Sequence, residues 1–264
     1  MEKKRMNYIY FGENLSILKT LKSESVDLIY IDPPFNTGKI QSIHGNSYKD
    51  KFQSLDLYLD FLRARVEELY RILKDTGSFY FHIDYRYVHY CKVMIDEIFG
   101  IENFMNEIIW AYDYGGRSKK KWSAKHDNIL FYVKNNKKYY FNYENVERLP
   151  YLAPNLVTPE KRERGKTYTD VWWNTIVHTT GKERVNYPTQ KPVEIIKRII
   201  KVSCPEGGVV LDAFAGSGTT GQACLDLGGT TKYKFILIDS NQQAIETMKK
   251  RFWEKDYIEW YGII

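Results

Sequence analysis

The sequence predicts an α/β fold organised around one open, mostly parallel sheet, and three observations carry that prediction. Short apolar runs rich in β-branched and aromatic residues alternate with segments of helical periodicity. Two of the runs end in loops of acid, proline or glycine, the composition expected where parallel strands open onto a ligand. Two others, residues 107–112 and 128–133, have no helical pattern between them and should pair antiparallel.

The elements follow in order. Residues 8–11 and 26–31 read as strands, the second apolar almost throughout, as a strand covered on both faces requires. Leu55, Tyr58, Leu59, Leu62, Val66, Leu69 and Leu73 then recur at helical spacing, with Gly77 as the expected stop. Residues 78–83 form the next strand, a helix follows Tyr87, and 107–112 with 128–133 make an antiparallel edge hairpin. Further helices are expected after Pro192, Thr219 and Gln242, Pro192 suiting a first helical turn, with strands at 209–214 and 234–238. The sheet so assembled has seven strands. Residues 134–187 break the rhythm: they are rich in Tyr, Asn, Lys and Arg and carry Pro150, Pro154 and Pro159, which predicts a small, largely irregular inserted module. The organisation is one domain in two halves, 1–133 and 188–264, interrupted by the insertion at 134–187.

Composition narrows the function classes. A chain of 264 residues with 43% hydrophobic and 27% charged residues has the make-up of a soluble globular protein with a sizeable core. Its formal charge of +6 favours a polyanionic partner, and 16% aromatic residues suit stacking surfaces as well as cores. Cys91, Cys204 and Cys224 match neither a zinc site nor a disulfide framework, so no metal is expected and a reducing cytoplasm is. Residues 1–10 lack an apolar signal core and no run approaches the length of a membrane span, so no membrane association is expected.

Two stretches carry chemistry. The first, Asp32-Pro33-Pro34-Phe35, follows the buried strand 26–31 directly. The second runs from Asp212 through Phe214, Gly216, Ser217, Gly218 and Thr219 to Gly221: a strand ends in a glycine-rich turn and opens a helix, which lets a ligand approach the backbone closely. Gly216, Gly218 and Gly221 also satisfy G-x-G-x-x-G, so a dinucleotide site competes at this point. Asp239, ending the strand at 234–238, would hold ribose hydroxyls in either case. A dinucleotide fold, however, usually begins near its fingerprint, whereas this glycine turn lies late in the chain. Completing the sheet from the N-terminal side brings strand 26–31 beside 209–214 and opens both loops into one crevice.

Together with Pro188-Thr189-Gln190-Lys191-Pro192, these stretches resemble the amino-group DNA methyltransferases that use S-adenosylmethionine. The acidic proline motif comes first and the glycine turn late, the circularly permuted order of the beta class, and the resemblance covers roughly residues 7–39, 78–135 and 187–251. It implies a Rossmann-like sheet. Asn36-Thr37-Gly38-Lys39 is also similar to the modification subunits of type III restriction systems, whose chains are much longer. The chain departs from the family in Asp212-Ala213-Phe214, where Asp-Pro-Phe is frequent, and in Phe35, where Tyr is commoner.

The resemblance gives the first motif a chemical reason. An exocyclic amine on adenine or cytosine is a poor nucleophile because its lone pair is delocalised into the ring. If the Asp32 carboxylate and the Pro33 carbonyl each accept an amine hydrogen, the nitrogen moves toward tetrahedral geometry and its lone pair faces a sulfonium methyl. Pro33 and Pro34 fix the backbone and present carbonyls without competing N–H groups. Phe35 offers a face for an extruded base. The cofactor residues implied are Asp32, Thr189, Gln190, Lys191, Asp212, Phe214, Gly216, Ser217, Gly218, Thr219 and Asp239. Adenine N6 is the expected target, since Asp in the first motif position goes with adenine more often; cytosine N4 is the alternative. Methylation at cytosine C5 needs a cysteine nucleophile, usually Pro-Cys, whereas here Cys204 precedes Pro205.

Duplex DNA is the partner implied. Arg117, Lys119, Lys120, Lys121 and Lys125 interleave with Trp122 between two strands and are expected to meet phosphates, with Lys39 beside the catalytic motif. The module at 134–187, with Arg148, Lys161, Arg162, Arg164 and Lys166, is the candidate for target recognition. A homodimer and a cognate restriction endonuclease are further candidate partners by analogy with the class. The competing functions are a catalytically silent DNA-binding homologue and an NAD-dependent oxidoreductase. The intact Asp32 and glycine turn oppose the first, and the motif order opposes the second.

Overall fold

The computed structural model describes residues 6–36, 51–178, 181, 183–252 and 255–262, together with the backbone of 40–43 and 46–49. The chain begins with β1 (Asn7–Phe11), α1 (Asn14–Thr20) and β2 (Val26–Ile31), followed by a hairpin of β3 (Ile40–Ile43) and β4 (Asn46–Lys49). Next come α2 (Leu55–Ile72), β5 (Leu73–Asp84), α3 (Val88–Phe99), β6 (Phe104–Ala111) and β7 (His126–Val133). Residues 134–187 hold β8 (Arg148–Leu149), α4 (Pro159–Arg164), β9 (Lys166–Thr167) and β10 (Val171–Trp173). The chain then forms α5 (Val193–Ser203), β11 (Val209–Asp212), α6 (Thr219–Asp226), α7 (Gly229–Lys232), β12 (Lys234–Asp239), α8 (Gln242–Phe252) and β13 (Ile258–Tyr261).

The main sheet runs β10, β6, β7, β5, β2, β11, β12, β1, β13. It therefore has nine strands where the sequence predicts seven. The two extra strands, β10 and β13, pair parallel with β6 and β1. They are three and four residues long, too short for a pattern of their own, and form because the open edges of β6 and β1 offer unpaired backbone groups. The antiparallel hairpin of β6 and β7 is present, but β10 covers its outer strand. Among the described strands of this sheet, only β7 runs against the rest.

Burial on both faces explains the continuous apolar character of β2. Leu28 and Tyr30 pack toward α5, α6 and α8, while Ile29 and Ile31 pack toward α1, α2 and α3. The helix α2 ends at Ile72 and runs straight into β5, so Gly77 is not its stop. Gly77 lies inside β5 beside a register shift of β2; a side chain there would meet Leu73 Cδ1 at 2.5 Å and the Asp27 carbonyl at 3.0 Å. Likewise β11 stops at Asp212, whose carboxylate accepts the Phe214 N–H and turns the chain.

The segment from Glu147 to Asn174 is tied to the core by Arg198 of α5. Its guanidinium donates to Glu147 at 2.9 Å and Asn174 at 3.2 Å and lies over the rings of Tyr168 and Trp172. No described helix is long and apolar enough to cross a membrane.

Candidate active site

Parallel pairing of β2 with β11, and of β11 with β12, delivers three acidic strand ends to one edge of the sheet: Asp32, Asp212 and Asp239. A cavity of about 360 Å³ opens there, lined by Asp32, Pro33, Pro34 and Phe35 on one side and by Asp212 to Ser217, Thr219 and Asp239 on the other. Thr189 and Lys191 complete it from the segment before α5.

The acidic loop is braced from behind. Tyr58 of α2 donates its hydroxyl to the Pro34 carbonyl at 2.7 Å, and Asn36, at a φ of 50°, accepts the Phe52 N–H and donates to the Tyr87 hydroxyl. The turn after β11 is braced from both ends. Asp212 accepts the Phe214 N–H at 3.0 Å and the Thr220 hydroxyl at 2.5 Å, while Asp239 accepts the Gly216 N–H at 2.7 Å and the Asn241 N–H at 2.8 Å. Burial, reinforced by the neighbouring Asp32 and Asp239, pushes Asp212 up to about 7 against its hydrogen bonds. Burial also raises Asp239 above its ordinary value.

Lys191 stands beside the loop of Asp32 to Phe35. Its Nζ lies 3.3 Å from Asp32 Oδ1, 3.6 Å from Asp127 Oδ2 and 4.7 Å from the centre of the Phe35 ring. Asp127, on β7, also receives the Tyr112 hydroxyl at 3.1 Å and has His82 Nε2 at 3.2 Å. Burial works against its charge, but Lys191, His82 and Tyr112 outweigh burial and hold its carboxyl well below the usual range. An ionised Asp127 only accepts, so His82 donates to it from Nε2, while its Nδ1 is hydrogen-bonded to the Tyr30 hydroxyl at 2.7 Å.

Most of the predicted cofactor residues line the cavity; two do not. Gln190 turns away, donating to the Glu183 carbonyl and accepting the Val185 N–H. Gly218 sits in the left-handed region with φ +76°, where a side chain would meet Met248 and Phe252 at 2.8 Å; it serves the approach of α6 to α8. Cys204 is buried in the core, outside the cavity lining, and burial raises its thiol.

Several lining residues are not among those predicted. Asn14 donates to the Ala213 carbonyl at 2.8 Å and accepts from Arg65, which also pairs with Glu13 and stacks on Phe61. Nothing local marks this relay, because α1 and α2 reach the glycine turn only through the fold. Tyr187 packs 3.3 Å from where a Gly216 side chain would begin; an aromatic just before Pro188-Thr189 is the one clue the sequence offers.

The basic loop joins the end of β6 to the start of β7, so it projects from the same sheet edge as Asp32. Lys119, Lys120 and Lys121 are exposed and Trp122 is 99% exposed. Arg117 and Lys125 are used within the loop: Arg117 pairs with Asp113, and Lys125 donates to the carbonyls of Tyr114, Gly115 and Gly116. Lys39 lies outside the described residues. In the insertion, Arg162 and Arg164 bind Pro154 and Glu144, while Arg148 stacks on Tyr143.

The cavity suits a cation better than a pyrophosphate. Glu13, Asp32, Asp212 and Asp239 face it against the cations of Arg65 and Lys191, and Asp239 already occupies the Gly216 N–H that a pyrophosphate would take. Asp32 Oδ1 is buried with the Lys191 ammonium 3.3 Å away as an ion-pair partner, and it receives no well-formed hydrogen bond from the described residues. A sulfonium cofactor beside an amine-bearing substrate fits both features. Among the described residues no cluster could hold a metal ion.

The chain is similar to known proteins. Residues 26–250 match the N6_N4_Mtase family, described as DNA methylase. The Type II methyltransferase M.HpaI of Haemophilus parainfluenzae is 35% identical over 237 residues, 90% of this chain and 71% of its own. The DNA adenine methyltransferase YhdJ of Escherichia coli (strain K12) is 33% identical over 251 residues, 92% of this chain and 81% of its own. The M1.HpyAVI–SAM complex aligns at a TM-score of 0.63 with 24% identity, over 93% of this chain and 98% of that one. The cytosine-N4-specific PvuII DNA methyltransferase aligns at 0.70 with 16% identity, over 95% and 88%.

Proposed function

Since the chain belongs to the DNA methylase family of S-adenosylmethionine-dependent amino-methyltransferases, we propose that its target is the N6 amine of adenine in duplex DNA, reached by extrusion of the base. The observation that carries this reading is the shared cavity of Asp32 and the Gly216-Ser217 turn at the ends of adjacent parallel strands. The likeness to an adenine methyltransferase over 92% of the chain supports adenine over cytosine.

S-adenosylmethionine, when bound, supplies an electrophilic methyl on a sulfonium. Asp32 and the Pro33 carbonyl accept the two hydrogens of the target amine, so its lone pair is freed from the ring and aimed at that methyl. Phe35 stacks on the extruded base, with Tyr58 fixing its loop through Pro34. Asp212, Phe214, Gly216, Ser217, Thr219, Thr189 and Asp239 shape the cofactor seat. Alignment of the reacting atoms supplies much of the acceleration.

Lys119, Lys120, Lys121 and Trp122 approach the duplex from the site's own edge, and the module at 134–187 reads the target sequence. In the cell we place the enzyme in the cytoplasm with its DNA, as a homodimer and with a cognate endonuclease as candidate partners. Nucleoside mass spectrometry of DNA treated with the protein and S-adenosylmethionine, joined to single-molecule sequencing, tests the central reading. N6-methyladenine at a defined site supports it; N4-methylcytosine or no methylated base overturns it.

A further inference from the structure

The position of Lys191 carries a consequence for substrate entry that rests on the amino-methyltransferase reading. Its ammonium sits against a carboxylate oxygen of Asp32 and over the face of Phe35, at 3.3 Å and 4.7 Å. An exocyclic amine on a base stacked upon Phe35 must reach the same Asp32 oxygen beside the same ring. Lysine and substrate amine therefore compete for one seat. A second carboxylate, Asp127, stands within 3.6 Å of the same ammonium. It is itself fixed by the Tyr112 hydroxyl and by the His82 ring, which Tyr30 holds from its far side.

We infer that Lys191 holds the seat of the target amine while no base is present, and that Asp127 is the positioning residue that draws the ammonium off Asp32 when the base enters. The exchange leaves every buried charge paired. Lys191 moves from sharing two carboxylates to residing on one, and the amine hydrogen takes the vacated Asp32 oxygen. Without Asp127 the ammonium would have to be stripped from its only counterion, a costly step in a site screened from water. Withdrawing the lysine also removes a positive charge from beside the nitrogen that becomes cationic as it is methylated, so the same movement favours the transfer step.

The network around Asp127 fits this use. Tyr112 and His82 both donate to it, so its oxygens are held in place whether or not the lysine is near. Trp110, 5.7 Å from Lys191 Nζ, backs the lysine and is fixed in turn by its indole N–H on the Asn174 carbonyl. The ammonium thus has an aromatic wall on each side and a carboxylate at each end of its short path.

The test is a pair of substitutions read by DNA affinity, with the demethylated cofactor product present so that no turnover intervenes. In Asp127→Asn the lysine has only Asp32 as counterion, and the Kd for target-containing duplex should rise about tenfold. Cofactor-product affinity, by calorimetry, should stay within about twofold. Adding Lys191→Met to that variant removes the competitor, and DNA affinity should return to within about twofold of the wild type. An unchanged Kd in Asp127→Asn, or a double variant no tighter than Asp127→Asn, overturns the inference. If Asp127→Asn does not fold, Lys191→Met alone decides: DNA binding at least as tight as the wild type supports the exchange, and weaker binding overturns it. Wild-type protein that methylates adenine while these variants fail the pattern separates failure of this inference from failure of the adenine reading.

Discussion

Asp239, at the end of β12, accepts the backbone N–H of Gly216 at 2.7 Å and so ties the glycine turn after β11 to the neighbouring strand. Its other oxygen takes the Asn241 N–H at the start of α8, so one carboxylate fixes two walls of the cofactor seat. Asp239→Ala should weaken S-adenosylmethionine binding about 10- to 100-fold, the loss expected for hydrogen bonds to a charged acceptor. Isothermal titration measures it, and an unchanged Kd would show that the turn holds its shape without this tie.

In the proposed mechanism Asp32→Ala removes the acceptor for the target amine and leaves the glycine turn untouched. Cofactor affinity should persist while turnover falls by at least about 100-fold, by analogy with removing one preorganised polar group from a transition state. Methyl incorporation under single-turnover conditions reads the effect directly. Near-normal activity would take Asp32 out of the mechanism.

Asp212 makes stability depend on pH in an unusual direction. Its carboxyl is pushed up to about 7 in the fold from an ordinary 3.8, so between these values the folded protein holds a proton that the unfolded chain has lost. Its contribution is therefore fully present at low pH and is lost as pH rises toward and through 7. Asp239 is raised as well and acts in the same direction, whereas Asp127 is lowered, so its stabilising effect is present above the ordinary 3.8 and is lost progressively as pH falls below it. Melting temperatures of the wild type and Asp212→Asn, compared from pH 4 to 8, should shift in favour of the variant as pH rises. A constant gap would refute the assignment.

The side chains of Lys119, Lys120 and Lys121 are exposed on the loop that projects from the sheet edge carrying Asp32. Replacing all three with Ala should flatten the salt dependence of DNA binding, by about 0.9 in log–log slope for each phosphate no longer neutralised. Cofactor affinity should not change. Lys125→Ala differs in kind, because Lys125 gathers three loop carbonyls; it should raise protease sensitivity between 113 and 125. Equal salt slopes for wild type and triple variant would place the DNA elsewhere.

Much of the frame is legible along the chain because it is written in local patterns. The limits of β2 match those expected, since a strand covered on both faces must be apolar throughout, and the acid at its end must then leave the sheet. The glycine turn is equally plain, because only glycine readily accepts the backbone at 216 and 218. Gln190 and Gly218 show the limit of motif reading: both sit in motif positions, yet one staples a loop and the other seats a helix. Membership of a motif fixes where the backbone passes, not where each side chain points.

The sequence by itself determined the kind of sheet, through periodicity, and the order of its motifs, whose resemblance to the amino-methyltransferases singles out Asp32 and Gly216, both of which line the cavity. Only the tertiary structure decided that β10 and β13 extend the sheet, that Asn14 and Arg65 support the glycine turn, and that Lys191 lies between Asp32 and Asp127. Those pairings join residues distant in the chain, 199 positions for Asn14 and Ala213 and more for Asn7 and Ile258, and their strength comes from burying charge and hydrogen bonds together. Burial is a property of the packed layers, and no stretch of chain carries it alone.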